Sequence, residues 1–279
     1  MSDKFSDNTI KAIASFGDRY LGSILSNLYL NHPDFSDEIK TMIDEAVAMK
    51  NNDSVNKLLE EACLPGYPDH QTLKDFDASC LSDSDKTIYE NVKSGNSLLS
   101  NKPNLILYGP PDQGKEKIAI GLADLLCRAR YNVRFIDFHL LMETLQTHGR
   151  ISSSNTLYQS LSKVECLIID DFAGMNIHDV DLLDSLYVLL RNRKDNHLSI
   201  SSRRKPRATF ITTYHHPQNW PKHLIGDDFK VLHIINILYG SGSMITVDEK
   251  AEKKSSSQES AQQSSNPNQA STQTPNPEN

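Results

Sequence analysis

The 279-residue sequence predicts an α/β fold, a parallel β-sheet wrapped on both faces by helices, and three observations carry that reading. The first is the run Asn104-Leu-Ile-Leu-Tyr-Gly-Pro-Pro-Asp-Gln-Gly-Lys-Glu116, an apolar strand leading into Gly109-x-x-x-x-Gly114-Lys115, the frame of a phosphate-binding P-loop. Glycines are needed where backbone N–H groups wrap a phosphate closely, and the following helix turns its N-terminus toward the anion. The second is Val164-Glu-Cys-Leu-Ile-Ile-Asp170-Asp171-Phe172, a buried strand ending in two carboxylates. That is a Walker B pattern, in which one acid holds Mg²⁺ through its waters and its neighbour polarises an attacking water. A polar turn after a strand also suits two aspartates. The third observation is that strand-like segments alternate with helical ones, as a parallel sheet requires. Together they predict a P-loop NTPase.

The elements follow in order. In the head, Ile10, Ile13, Phe16, Tyr20, Ile24 and Leu28 recur at helical spacing up to His32-Pro33. Ser36 with Asp37 and Glu38 reads as the cap and acidic first turn of a second helix carrying Ile39, Ile43 and Val47. A third short helix over 53–62 stops at Leu64-Pro65-Gly66. Residues 1–64 are therefore expected to be a helical partner-binding module, and the stripes equally suit a small bundle core. Residues 65–103 are expected to be a linker and a lead-in helix at 84–99, residues 104–249 the P-loop core, and 250–279 a tail. The core's first helix spans 115–129, with Ile118, Leu122, Leu125 and Leu126 on one face, and further strands are expected at 132–137, 207–213 and 243–247. From 255 onward alanine is the only apolar residue type, so the tail cannot offset its ordering entropy and is expected to be disordered.

Charge is unevenly spread. Residues 1–90 carry 8 Lys/Arg against 17 Asp/Glu, whereas residues 91–249 carry 18 against 16. An acidic head argues for gripping a protein rather than DNA. No apolar run approaches a membrane span and no signal-peptide core is visible at the start, so no membrane role is expected. Cys63, Cys80, Cys127 and Cys166 form no C-x-x-C pair, which implies a reducing, cytoplasmic setting.

With these phrases in view the chain resembles the IstB/DnaC-type AAA+ ATPases, the helpers of bacterial transposition and loaders of replicative helicases. The resemblance runs from Leu64-Pro-Gly and Thr72-Leu-Lys-Asp-Phe-Asp77 through Pro103-Asn-Leu-Ile-Leu-Tyr-Gly-Pro-Pro, Arg134-Phe-Ile-Asp, Leu167-Ile-Ile-Asp-Asp-Phe and Thr209-Phe-Ile-Thr-Thr to Met244-Ile-Thr-Val. It implies a five-stranded AAA+ core without a C-terminal lid, and ATP with Mg²⁺ as cofactors. It also implies a replicative helicase or transposase as partner, reached through the head. Departures are as informative. Asp112 stands for an inner glycine and Glu116 for the Mg²⁺-binding Thr/Ser of the family loop. Tyr214 stands for a sensor Asn, and Ile237 for an Arg offered to a neighbouring subunit's nucleotide.

The expected nucleotide site is Gly109, Pro110, Pro111, Asp112, Gln113, Gly114, Lys115, Glu116 and Lys117, with Asp170 as the Mg²⁺ residue and Asp171 positioning water. Loop residues 109–116 carry a net charge of −1 where a triphosphate must sit. A carboxylate ~5–8 Å from phosphate opposes binding by roughly 0.5–2 kcal/mol. Glu116 could instead ligate Mg²⁺ itself. Arg203, Arg204, Lys205 and Arg207 form a cationic run that suits DNA phosphates or a solvated loop. Trp220 is expected to anchor a loop, and His215-His216 have no partner at ligand spacing. Two functions remain: an ATP-binding accessory protein of DNA replication or transposition with weak or no hydrolysis, and an adaptor that needs no nucleotide. A small-molecule kinase is disfavoured, because segment 139–163 carries a single Arg where an Arg-rich lid would be required. A homo-oligomer, or a mixed ring with an intact paralogue, also stays open.

Overall fold

The computed structural model describes residues 23, 24, 27, 31, 36–70, 72, 73, 76, 78, 81–94, 104–147, 156–197, 207–225, 228–240 and 242–247. Of the apolar stripe expected in the head, only Ile24 lies within these residues. Arg203, Arg204, Lys205 and the expected disordered tail at 250–279 lie outside them.

In chain order the elements are α1 (Ser36–Ala62), α2 (Asp83–Lys93), β1 (Asn104–Tyr108), α3 (Lys115–Arg128), β2 (Val133–Asp137), α4 (Phe138–Thr147), α5 (Thr156–Lys163), β3 (Cys166–Asp170), α6 (Val180–His197), β4 (Ala208–Thr213), a 3₁₀ turn (Pro217–Lys222), α7 (Asp228–Leu238) and β5 (Gly242–Thr246). All five strands are parallel and ordered β2-β3-β4-β1-β5. Each expected strand is present within a residue or two of its expected bounds.

Side chains alternate between the sheet's two faces, as strand geometry dictates. Leu105, Leu107, Ile168 and Phe210 pack under α1, α2 and α3, together with Ile118, Leu122 and Tyr89. Ile106, Leu167, Ile169 and Ile211 face the other layer, with Leu186 and Leu190 of α6 and Ile234 of α7. Cys127 and Cys166 lie inside the first layer, and burial pushes both thiols up to about 12, so they pack as inert small apolar groups.

The helical segment 36–62 differs from the sequence expectation. One continuous helix replaces two, because Asn51-Asn52-Asp53 lowers helix propensity by only tenths of a kcal/mol per residue and contains no Gly or Pro. Arg130 also holds the carbonyl and side chain of Asn51, at 2.8 and 2.9 Å. Near its end α1 contributes Leu59 and Ala62 to the core, and Arg134 of β2 donates to the Glu61 carbonyl at 3.0 Å. The expected junction at 64/65 thus falls inside continuous packing: Leu64 is buried, Leu73 seats against Gly121, and His70 meets the buried Asp124 at 3.0 Å.

At the entry end of the sheet, Arg193 of α6 is 1% exposed. Its guanidinium donates to Thr209 Oγ1, to the Leu161 and Val164 carbonyls and to the Ala208 carbonyl. One side chain therefore ties α5, the connection leading into β3, and β4 together. Arg193→Ala removes four hydrogen bonds to buried acceptors and should cost roughly 3 kcal/mol or more, read from urea unfolding. A variant as stable as the parent would show that water replaces the guanidinium.

Candidate functional site

The C-terminal ends of β1, β3 and β4 open into a cleft of about 570 Å³. Its floor is the loop between β1 and α3. Gly109 starts that loop beneath the chain leaving β5, and a Cβ there would stand 2.1 Å from the Val247 carbonyl oxygen. Only glycine fits. Two further positions take the left-handed backbone, Asp112 at φ 58° and Gly114 at φ 88°. Aspartate is among the few side chains that tolerate this region, which explains how Asp112 stands in for glycine without breaking the turn. The first bond inside α3 runs from the Ile118 N–H to the Gly114 carbonyl at 3.1 Å. The N–H groups of Lys115, Glu116 and Lys117 consequently have no intrahelical acceptor and stand at the helix mouth.

Lys115 is buried, and its ammonium donates to the Pro110 carbonyl. Burial pulls its pKa down, and the charges of Asp170, Asp171 and Asp112 pull it back up. Phosphate oxygens would add further anionic partners to this desolvated cation. The loop geometry fits a nucleotide's phosphates. The Mg²⁺ part fits less well, because Glu116 occupies the hydroxyl's place. Burial raises the Glu116 carboxyl's pKa, and the Asp170 charge raises it further.

Asp170 and Asp171 end β3 on the opposite wall. Thr212 Oγ1 donates to Asp170 Oδ1 and accepts the Asp171 N–H at 2.9 Å. Burial raises the pKa of both acids; the Thr212 hydrogen bond partly offsets this at Asp170, and Asp137 of β2 adds to it at both. Asp171 sits at φ 52°, and a Cβ on Gly174 would fall 2.1 Å from its Oδ2. Aspartate and glycine are thus fitted to one another at this turn.

Tyr214 lines the cleft just past β4, but its hydroxyl donates to the Gly174 carbonyl at 3.1 Å and so ties β4 to the turn after β3. Its ring lies 4.1 Å from that of His215, which stacks on His223 at 3.7 Å. Trp220 is fully buried against Phe172 and donates to the His215 carbonyl at 3.1 Å, so it anchors this loop. Ile237 is 7% exposed and packs in the α7 core layer, while its carbonyl accepts from Asn104 at 2.8 Å. In this chain position 237 faces inward, away from any surface a finger could be offered from. Arg207, the described member of the cationic run, donates to the Ser162 carbonyl at 2.7 Å.

The structure therefore brings together Pro111, Asp112, Gly114, Lys115, Glu116, Lys117, Asp170 and Asp171, and places Tyr214 beside them. Sequence reasoning missed Thr212, Asp137 and Gly174. The polar pair ending Ile211-Thr-Thr was the available signal for the first.

Residues 30–260 match the family described as IstB-like ATP binding protein. The chain belongs to this family. Among IstB-like relatives, the insertion sequence IS1162 ATP-binding protein of Pseudomonas fluorescens is 27% identical over 188 residues, 67% of this chain and 79% of that protein. The IS21 ATP-binding protein of Pseudomonas aeruginosa is 28% identical over 142 residues, 51% of each chain. Among solved structures, a primosome component from Streptococcus pyogenes serotype M3 superposes with a TM-score of 0.51 at 16% identity, covering 68% of this chain and 94% of that one. AMPPCP-bound DnaA from Aquifex aeolicus gives 0.50 at 13%, covering 75% and 58%. At such identities the likeness is one of fold, an AAA+ core. No helix among the described residues is long and apolar enough to cross a membrane.

Ile237→Arg tests the inward position. Burying an unpaired guanidinium should destabilise the protein by several kcal/mol (about 3 or more) without raising ATP turnover, as followed by urea unfolding and a phosphate-release assay. A stable, more active variant would place residue 237 at a surface.

Proposed function

We propose that this protein is a nucleotide-binding accessory factor of a DNA transposition or replication machine, holding ATP or its product at the β1–α3 loop and turning it over poorly. The observation that carries this reading is the pairing of a phosphate-loop backbone with an acid at the Mg²⁺ hydroxyl's position: Gly109, Gly114 and Lys115 shape the loop, whereas Glu116 lines the same cleft as Asp170. The insertion-sequence relatives and the likeness to replication proteins support the setting.

In this reading Lys115 meets the outer phosphates, Asp170 holds the Mg²⁺ shell and Asp171 orients water when turnover occurs. Tyr214 has no side-chain amide to offer that water, and its hydroxyl already donates to the Gly174 carbonyl. Position 237 supplies no cation to a neighbour. Nucleotide state then serves as a conformational signal rather than a source of rapid turnover. The acidic head, net −9 over residues 1–90, favours a basic surface on a transposase or replicative helicase. Arg203, Arg204, Lys205 and Arg207 are the residues proposed to touch DNA phosphates.

The test is a binding isotherm and a steady-state ATPase assay on the parent and on Asp112→Gly with Glu116→Thr. Restoring a neutral loop and the Mg²⁺ hydroxyl should tighten Mg-ATP binding by about 10-fold if each carboxylate costs on the order of 1 kcal/mol, with hydrolysis still slow. Rapid hydrolysis by the parent would make Glu116 a working Mg²⁺ ligand. Absence of nucleotide binding in the parent would favour the adaptor reading.

A further inference from the structure

The cleft's two halves differ in charge and in hydrogen-bonding capacity. At the helix mouth, three N–H groups and Lys115 face inward, a place for two phosphates in a row. Asp170 and Asp171 stand at the end of β3, where a third phosphate would reach, and Glu116, on the first turn of α3 itself, lines the same cleft. Thr212 holds the Asp170 carboxylate through its hydroxyl and accepts the Asp171 backbone N–H, so Asp170 cannot swing away without breaking a hydrogen bond. Tyr214 closes the same corner with a ring, and its hydroxyl is committed to Gly174. No side-chain donor besides the lysines serves this half of the cleft among its lining residues.

We propose that this cleft selects by phosphate number and holds a nucleoside diphosphate more tightly than the corresponding triphosphate, with Glu116 as the residue that sets the preference. This rests on the nucleotide-binding reading above and deepens it. The β-phosphate gains the helix-mouth N–H groups and Lys115. The γ-phosphate adds negative charge beside three carboxylates and meets no hydroxyl at residue 116 through which Mg²⁺ could bridge it. An accessory factor built this way reads the product state of a partner's hydrolysis, or of its own slow turnover, instead of the triphosphate state.

The experiment is isothermal titration of the full chain with ADP and with ATP, each with Mg²⁺ and with EDTA, repeated on Glu116→Thr. Glu116 lies at the exposed rim of α3, and the parent's own ratio stands without the variant. The expected result is ADP binding about 10-fold more tightly than ATP in the parent under both conditions, with the ratio shrinking toward unity or inverting in Glu116→Thr with Mg²⁺. Equal or tighter ATP binding by the parent overturns the proposal while leaving nucleotide binding intact, as does a ratio that Glu116→Thr does not move. Binding of neither nucleotide overturns the underlying reading and this proposal with it.

Discussion

Everything at the cleft depends on β4 being hydrogen-bonded between β1 and β3. That placement sets the phosphate loop after β1 and the acids ending β3 one strand apart, with the end of β4 between them. In register, Leu107 pairs with Thr212, and Ile169 pairs with Ile211. Thr212 can therefore reach Asp170 and the Asp171 N–H together. A slip of one residue would turn Thr212 to the other face of the sheet and release both acids. The buried aliphatic runs of β1, β3 and β4 fix that register, because each face packs against its own helical layer.

On this frame the loop has the backbone turns of a phosphate site, with Asp112 and Glu116 among its residues. Asp112 survives at a left-handed position where most residues would be strained, and Glu116 survives because α3 begins there with its side chain reaching solvent. Neither change disturbs the fold, yet both add negative charge where an anion would sit. Tyr214 and Ile237 are held differently. Tyr214 lies in a stack with His215 and His223 and donates to Gly174, and Ile237 lies in the core. Both side chains stabilise the structure locally.

The sheet was legible because β1 and β3 are short aliphatic runs buried on both faces, and the loop was legible because Gly109, Gly114 and Lys115 keep their spacing. The continuous α1 was not, since Asn51-Asn52-Asp53 looks like a break and is held by Arg130, distant in sequence. The packing of the stretch after Leu64 was also hidden. It depends on Asp124, an acid on the buried face of α3 whose partners His70 and Arg128 come from the linker and from one turn further along. Arg193 reads as one cation in Arg191-Asn-Arg-Lys, and only the tertiary arrangement shows it gathering four acceptors. For Thr212 the polar pair ending β4 was a signal of position but not of role, because a hydroxyl's role is set by what stands across the ladder.

The central claim is that the N–H groups opening α3 hold a nucleotide's phosphates. The direct measurement is an ADP titration of the ¹⁵N-labelled full chain, following backbone amide shifts. The account predicts the largest saturable shifts at Gly114, Lys115, Glu116 and Lys117, with smaller ones at Asp171 and Tyr214. Saturable shifts centred elsewhere, or none at millimolar nucleotide (about 1 mM, an affinity near −4 kcal/mol), would contradict it.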